Sequence, residues 1–286
     1  MAVPAAQTRT LQLGHSPDSD DAFMFYGLAS GAIDTGELRF QHVLQDIQTL
    51  NQWAMQGRLE ITAVSVHAFA YVWARYALLP HGASMGRSYG PMLVARQPVE
   101  ARDLRGRRIA VPGKLTSAYL GLRLFLRDFD EAVVPFDRIM DEVAAGRVDA
   151  GLLIHEGQLT HGERGLVKVW DMGEWWQGET GLPLPLGVNV VRKDLGPALM
   201  GRVSRLLQES IAYGLAHRQE ALEYALQFAR GMARATADRF VGMYVNELTL
   251  DMGQEGRLAI ERFLERGYAA GLLPSMPQIE WVSAGD

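Results

Sequence analysis

The sequence predicts a two-lobed α/β protein with a ligand cleft between the lobes. Its 286 residues exceed the usual size of one domain, and its 48% hydrophobic and 21% charged residues are close to globular averages. Short apolar strands alternate with helices over much of the chain, a rhythm typical of mostly parallel sheets covered on both faces. We therefore expect two compact lobes, each built on its own sheet.

The first lobe begins with three strand–helix units. In each unit a short apolar strand leads through a turn into a helix with apolar residues at helical spacing. Gly57 is the expected stop of the second helix, because glycine readily adopts the left-handed conformation that ends helices. The predicted strands span residues 11–14, 38–43 and 59–64, and the predicted helices span residues 21–29, 47–55 and 65–74.

A last predicted strand of the first lobe, residues 91–95, leads into a segment rich in charge, residues 96–107, which we interpret as a surface crossing or linker between the lobes. After it, strand, turn and helix recur as in the first lobe. In this second series the predicted strands span residues 108–111, 133–136 and 151–154, the helices residues 116–126 and 137–145, and an extended return segment residues 183–191.

The remainder of the chain, from about Leu195, carries helical periodicity without further strands. The helical segments are residues 199–216, 219–229 and 260–268. We expect these helices to pack against the first lobe, which makes that lobe discontinuous. Residues 1–100 and 193–286 then form the first lobe, residues 101–192 form the second, and two chain crossings form a hinge.

Composition excludes several classes of function. The formal net charge is −5 and no run of five Lys or Arg residues occurs, which argues against a nucleic-acid partner. The chain has no cysteine, so disulfides, thiolate catalysis and Cys-ligated metal centres are excluded. Motifs for dinucleotides, nucleoside triphosphates, serine hydrolysis and His-x-x-x-His metal binding are absent.

The N-terminal ten residues, MAVPAAQTRT, lack the apolar core of a signal peptide. No apolar stretch approaches the roughly 18 residues that a membrane span needs. We therefore expect a cytoplasmic protein without a membrane partner.

Three turns between a strand and a helix could bind an anion, because backbone N–H groups at a helix start are unpaired and the helix dipole favours negative charge. They are residues 16–21, 62–65 and 113–117. Thr116 and Ser117 form the best candidate. Ordinary N-capping explains Asp20, Ser65 and Thr116 equally well, and capping is compatible with ligand contact.

His155 directly follows the apolar strand at residues 151–154, so its ring can project into the cleft. Imidazole is the side chain best matched to proton transfer near neutral pH, although a structural, hydrogen-bonded histidine is the commoner reason for this position. His15 occupies a similar position in the first lobe. Trp175 and Trp176 could line the cleft, but packing within the second lobe explains them more simply.

Several segments together resemble the 1,4-dihydroxy-6-naphthoate synthase family of menaquinone biosynthesis. The segments are Gly14 to Tyr26 (GHSPDSDDAFMFY), Asp46 to Asn51 (DIQTLN), Val111 to Thr116, Gly151 to Glu156 (GLLIHE), Trp175-Trp176, Thr180 to Gly187 and Tyr244 to Asn246. The resemblance is nearly end to end. It implies a type II periplasmic-binding-protein fold in a cytoplasmic enzyme that needs neither a metal nor an organic cofactor.

The resemblance also implies a reaction, the conversion of cyclic dehypoxanthine futalosine to 1,4-dihydroxy-6-naphthoate, with His155 as the general base. The partner is then a small anionic aromatic substrate, and the protein is a monomer or a homodimer. Thr116 and Ser117 are the implied carboxylate clamp. Ser65 faces them from the other lobe.

Further substrate contacts are expected at Ala63, Val64 and Asp20, and two of these depart from the family pattern. Ala63 stands where the family often has Lys, and Asp20 stands where it often has Asn. A divergent branch with a related substrate is therefore an open alternative. Chorismate dehydratase, which shares the fold and pathway, is one alternative function, and a non-catalytic solute-binding protein for a small carboxylate is another.

Overall fold

A computed structural model describes residues 8–228 and 233–282, and these form two sheets surrounded by helices. The first sheet has the strand order β2-β1-β3-β11-β4, with β5 also paired to β11, and the second has the order β10-β6-β9-β7-β8. The strands are β1 (Arg9–His15), β2 (Leu38–Leu44), β3 (Ile61–Ser65), β4 (Tyr76–Leu78), β5 (Ser84–Gly86), β6 (Met92–Ala95), β7 (Arg108–Val111), β8 (Asp130–Val133), β9 (Ala150–Leu153), β10 (Val167–Asp171) and β11 (Leu184–Arg192).

Helices cover both sheets. They are α1 (Ser19–Met24), α2 (Tyr26–Ala29), α3 (Ile47–Gln56), α4 (Val66–Val72), α5 (Ser117–Phe125), α6 (Ile139–Ala144), α7 (Gly157–Thr160), α8 (Met172–Thr180), α9 (Pro197–Ala216), α10 (Arg218–Leu226), α11 (Arg234–Tyr244), α12 (Glu247–Leu250) and α13 (Gly253–Ala269). Within the described residues, no helix is both long and apolar enough to cross a membrane.

The predicted strand–helix units of both lobes are confirmed with small shifts of their ends. Strands β1 and β3 are parallel neighbours, as are β7 and β9, and this arrangement brings the carboxyl ends of these strands to one edge of each sheet. Gly57 ends α3 in the left-handed conformation, as expected. The predicted helix at residues 21–29 is split into α1 and α2 by Phe25.

Strand pairing corrects the assignment of two strands at the predicted lobe boundaries. Strand β6, which the boundary at residue 100 placed in the first lobe, pairs antiparallel with β9 and β10 in the second sheet. Strand β11, expected in the second lobe, pairs antiparallel with β3 in the first sheet. The local pattern of a strand does not reveal its partners, because those partners are distant in sequence.

The chain therefore crosses between the sheets before β6 and again before β11, rather than through the charged segment. Residues 96–107 remain on the second lobe, where Ala101–Leu104 form a 3₁₀ turn and Leu104 is buried. The expected two crossings are present, but each lies earlier in the chain than the charge pattern indicated.

The helical tail packs against the first lobe, as expected. Helix α9 contacts α2, and α10 contacts α1. Met200, Leu207 and Ile211 of α9 join a buried cluster with Leu13 and Phe23 of the first lobe. Residue 229, the last of the helix predicted at 219–229, lies outside the described residues. So do residues 1–7, part of the N-terminal segment in which no signal peptide is expected.

Trp176 is fully buried in a core that runs continuously from one lobe to the other. Its indole N–H donates to the Pro183 carbonyl at 3.0 Å, and its ring meets Phe263 of α13 edge to face. Trp175 packs at the margin of the same core. Both tryptophans therefore serve packing, and neither is among the residues that line the cavity described next.

Candidate active site

A cavity of about 100 Å³ lies between the two sheets and takes its walls from both lobes. Six of the seven residues expected at the site line it: Asp20, Ala63, Ser65, Thr116, Ser117 and His155. Its apolar wall consists of Ile47, Ala118, Ile154, Leu186, Val188 and Phe240. The cavity thus combines an apolar wall with a few polar groups, the usual composition of a small-molecule site.

Val64 is the expected site residue that the structure places elsewhere. Its side chain is fully buried in the hydrophobic core, whereas Ala63 and Ser65 line the cavity. Successive side chains of a strand point to opposite faces of the sheet, so one residue of three neighbours must face away. The Val64 side chain is therefore not part of the cavity wall, and substrate contact at Val64 stays a prediction.

Thr116 caps helix α5 at the cavity wall. Its Oγ1 accepts a hydrogen bond from the Tyr119 backbone N–H at 3.2 Å and donates to the Gly113 carbonyl at 2.8 Å. Capping leaves other first-turn N–H groups without a partner inside the helix. Because Ser117 and Ala118 line the cavity, the start of α5 offers backbone donors and a favourable dipole to an anion there.

Ser117 holds the second lobe against the first through its hydroxyl. Its Oγ donates to the Leu186 carbonyl at 2.6 Å and accepts from the His67 backbone N–H at 3.2 Å. These two bonds occupy the hydroxyl. The part of Ser117 that remains suited to an anionic ligand is therefore its backbone N–H.

Ser65 faces α5 from the end of β3, and Asn51 fixes its position. The Asn51 side-chain amide donates to Ser65 Oγ at 3.0 Å, while its oxygen accepts from the Ser65 backbone N–H at 2.8 Å. Ser65 is the N-cap residue of α4, as the capping interpretation expects, but its side chain makes no capping hydrogen bond to the helix. The hydroxyl proton is thus left to donate toward the cavity.

His155 ends β9 in a left-handed backbone conformation, with φ of 53°. Its Nδ1 lies 3.1 Å from Oδ2 of Asp18, a residue of the opposite lobe, and its ring packs edge to face on Phe136 at 4.8 Å. Its Nε2 is buried and has no hydrogen-bond partner among the described residues. The ring is therefore clamped on one side and leaves one nitrogen for a ligand.

Three carboxyl groups lie in the turn beside His155. Burial raises the pKa of Asp20 well above its usual value, with the neighbouring charges of Asp21 and Asp18 acting in the same direction. Burial also raises the pKa of Asp21 to about 6, against the hydrogen bond that its carboxylate accepts from the Ser16 N–H at 2.7 Å. Asp18 rather than Asp20 is the N-cap residue of α1, so the capping interpretation of Asp20 is wrong.

His15, the other candidate base, lies outside the cavity lining. Its Nδ1 donates to the Ser16 carbonyl at 3.0 Å, and its Nε2 lies 2.9 Å from His42 Nδ1. Burial, aided by the nearby His42, lowers the pKa of His15 to about 3. Both ring nitrogens are thus engaged, and the ring is neutral at any pH near 7.

Sequence reasoning missed four polar residues of the site: Asp18, Asn51, Gln158 and Tyr244. The Tyr244 hydroxyl donates to Gln158 Oε1 at 2.8 Å, which joins the first lobe to the second beside the cavity. Burial raises the pKa of this phenol above its usual value. Three of the four lie in or beside segments that carry the family resemblance, but their patterns alone do not indicate a contact across the cleft.

Among residues 8–228 and 233–282, no group of three or more His, Cys, Asp or Glu side chains has an arrangement that could hold a metal ion. The expected independence from metals and organic cofactors stays a prediction.

The chain matches a family model described as menaquinone biosynthesis over residues 11–269. A 1,4-dihydroxy-6-naphthoate synthase from Thermus thermophilus is 43% identical over 94% of this chain and 97% of its own length. An enzyme of the same name from Streptomyces coelicolor is 38% identical over 93% of this chain and 96% of its own length.

Solved structures show the same architecture. A crystal structure of a protein from Archaeoglobus fulgidus superposes with a TM-score of 0.89 at 44% identity, covering 92% of this chain and 98% of that one. The alkanesulfonate-binding protein of Xanthomonas axonopodis superposes with a TM-score of 0.70 at 16% identity, covering 96% and 98%. The second match speaks to the fold alone, and it confirms the expected periplasmic-binding-protein-like architecture.

Proposed function

The chain belongs to the menaquinone biosynthesis family, and we propose that it acts as a 1,4-dihydroxy-6-naphthoate synthase, a carbon–carbon lyase, on cyclic dehypoxanthine futalosine. The observation that carries this proposal is the placement of His155. His155 lines a cavity that also offers anion donors and an apolar wall, and its buried Nε2 has no hydrogen-bond partner among the described residues.

His155 is the general base of the proposed reaction. A neutral imidazole with a free Nε2 takes a proton from the substrate, and this starts cleavage of the carbon–carbon bond that holds the sugar-derived part. Aromatisation of the remaining bicyclic ring drives the step. The protonated ring can then return its proton to the departing fragment.

The start of α5 binds the carboxylate of the substrate in this proposal. Ser117 and Ala118 offer backbone N–H groups, and the Ser65 hydroxyl approaches from the opposite lobe. The apolar wall, which includes Ile47, Val188 and Phe240, accommodates the flat ring. The missing lysine at Ala63 is thus offset by donors that do not carry a formal charge.

Asp20 is compatible with an anionic substrate because its raised pKa favours the neutral acid. A protonated carboxyl is a hydrogen-bond donor, as the family's Asn amide would be at this position. Its Oδ1 is buried and makes no hydrogen bond within the described chain. Asp20 therefore donates to the substrate rather than repelling it.

Entry of the substrate requires the lobes to separate. The cavity of about 100 Å³ is smaller than an engineered cavity of about 150 Å³ that binds benzene, and the substrate is larger than benzene. The two crossings that precede β6 and β11 supply the hinge. Closure around the substrate then excludes water from the reaction.

Incubation of the purified protein with cyclic dehypoxanthine futalosine tests the proposal directly. We expect mass spectrometry to detect 1,4-dihydroxy-6-naphthoate, and the variant His155→Gln to lower kcat by on the order of 10²–10⁴ with an unchanged circular dichroism spectrum. Turnover by His155→Gln at the wild-type rate would exclude His155 as the base.

Parallel incubations separate the alternatives. Dehydration of chorismate, without any conversion of the futalosine derivative, would identify the protein as chorismate dehydratase. Tight binding of either carboxylate without conversion would identify a solute-binding protein. A cytoplasmic location and the monomeric or homodimeric state also stay predictions.

A further inference from the structure

Asp18 and His155 form a contact across the cleft that the proposed reaction does not by itself require. The Asp18 carboxylate lies in the turn between β1 and α1 of the first lobe, whereas His155 follows β9 of the second. Their Oδ2 and Nδ1 atoms are 3.1 Å apart, and the side chains are only 3% and 16% exposed. A charge buried this deeply is costly unless a partner meets it.

Asp18 is held in place from its own lobe. Its Oδ2 accepts a hydrogen bond from the Ser16 hydroxyl at 2.5 Å, and its backbone N–H donates to the same hydroxyl oxygen at 3.2 Å. The carboxylate is therefore oriented before the lobes meet. On the opposite lobe, the edge of Phe136 and the left-handed turn restrict the His155 ring.

A carboxylate at Nδ1 decides which nitrogen of a neutral imidazole carries the proton. Carboxylate oxygens only accept hydrogen bonds, so the proton resides on Nδ1 and the lone pair on Nε2. Nε2 is the nitrogen without a partner. The same arrangement of carboxylate and histidine orients the base in serine proteases and stabilises the imidazolium that forms.

We propose that Asp18 is a positioning residue for His155, and that closure of the lobes assembles the two side chains into a dyad that presents Nε2 to the substrate. The proposal rests on His155 being the base, as argued above. Because each lobe supplies one member, the imidazole in an open cleft lacks the carboxylate that holds the proton on Nδ1. Proton abstraction is thereby confined to the closed protein.

Two measurements test the dyad. In protein labelled with ¹⁵N-histidine, two-bond ¹⁵N–¹H correlation spectra report the tautomer, and the His155 signals are those that vanish in His155→Gln. At a pH where these signals show a neutral ring, we expect the proton on Nδ1. We expect Asp18→Asn to redistribute the proton between the nitrogens and to lower kcat by about 10²–10³ while KM changes by less than about fivefold.

Asp171→Asn is the matched control. Asp171 is also a buried aspartate at the start of a helix, where it caps α8, and it is not among the cavity residues. We expect its tautomer spectrum and kcat to match the wild type. An Nε2–H tautomer in the wild-type protein, or Asp18→Asn turnover within about threefold of wild type, would overturn the proposal.

The spectra can be recorded without turnover of a substrate. A failure of the proposed function can therefore be distinguished from a failure of the Asp18–His155 dyad. If the wild-type protein converts no futalosine derivative, the proposed function fails while the tautomer still reports the dyad. If the protein is active and Asp18→Asn is equally active, only the dyad fails.

Discussion

His155 adopts a strained, left-handed backbone conformation, and this conformation sets the direction of its ring. A non-glycine residue in the left-handed region costs of order 1 kcal/mol or more, and such residues persist only where the surroundings hold them. Here the turn into α7 holds the chain, with the Gln158 N–H donating to the His155 carbonyl at 3.2 Å. The strain directs the ring toward Asp18 and the cavity rather than into the sheet.

Asp20 offers a test at the residue scale, because a raised pKa makes ionisation destabilising. The folded state favours the protonated form of Asp20. The contribution of this protonated carboxyl to folding stability is therefore fully present below the unfolded pKa near 4, and it is lost as pH rises through the folded pKa. Asn cannot ionise. We expect Asp20→Asn to raise Tm by a few degrees at pH 8, with the gain shrinking toward pH 4, as measured by scanning calorimetry.

An exposed aspartate provides the control for this prediction. Asp128→Asn changes the same functional group at the surface, and its Tm should follow the wild type at both pH values. A Tm of Asp20→Asn that equals the wild type at pH 8 would show that ionisation of Asp20 costs the fold nothing.

Helix α5 joins local folding to ligand binding at the scale of elements. The same residue that caps the helix, Thr116, fixes the turn from which the donors of Ser117 and Ala118 reach the cavity. Its amphipathic pattern buries Leu120 and Leu122 in the core, so the helix cannot tilt away from the site. In the proposed binding mode, the turn that Thr116 caps is also the turn that holds the carboxylate.

Thr116→Val removes the cap while keeping the branched shape of the side chain. The loss of its hydrogen bonds to Tyr119 and Gly113 should lower the free energy of unfolding by about 1 kcal/mol and raise KM about tenfold, as measured by urea unfolding and steady-state kinetics. Asp171→Ala removes the cap of α8 away from the cavity. It should lower the free energy of unfolding by a similar amount without raising KM. Equal KM values for the wild type, Thr116→Val and Asp171→Ala would show that the Thr116 cap does not contribute to substrate binding.

Closure of the whole molecule depends on contacts that cross the cleft. The hydroxyl of Tyr244 on α11 reaches Gln158 on α7, and the Leu115 backbone N–H donates to Gln48 Oε1 at 3.2 Å. Both bonds join opposite lobes beside the cavity. An opened cleft would lose them, so they stabilise the closed form selectively.

Tyr244→Phe should therefore shift the protein toward the open form. It leaves Gln158 Oε1 without its donor in a buried position, a loss of about 1–3 kcal/mol that only the closed form suffers. We expect KM to rise about five- to tenfold, with a larger radius of gyration by small-angle X-ray scattering at subsaturating substrate.

Tyr76→Phe is the matched control, because the Tyr76 hydroxyl donates to the Leu59 carbonyl at 2.7 Å inside the first lobe. This variant should lose stability without a change in KM or in the radius of gyration. A wild-type KM for Tyr244→Phe would show that its hydrogen bond does not contribute to closure.

Patterns along the chain predicted most of the elements that carry the site. Strand–helix alternation and helical periodicity are properties of neighbouring residues, so units such as β3 with α4 and β7 with α5 could be located from sequence. Strands β4 and β5, of three residues each, were missed because so short a run carries no period. Helix α8 was missed because its nine residues hold only three large apolar side chains, Met172, Trp175 and Trp176, too few to establish a helical period.

The sequence by itself determined the two-lobed α/β class, the family, and six of the residues that line the cavity. Only the tertiary structure decided which sheet β6 and β11 join, that Val64 faces the core, and that Asp18 meets His155 across the cleft. The physical reason is the range of the interactions. Periodicity and turns are set by near neighbours, whereas strand pairing, the facing of a side chain and a cross-lobe contact depend on residues that only folding brings together.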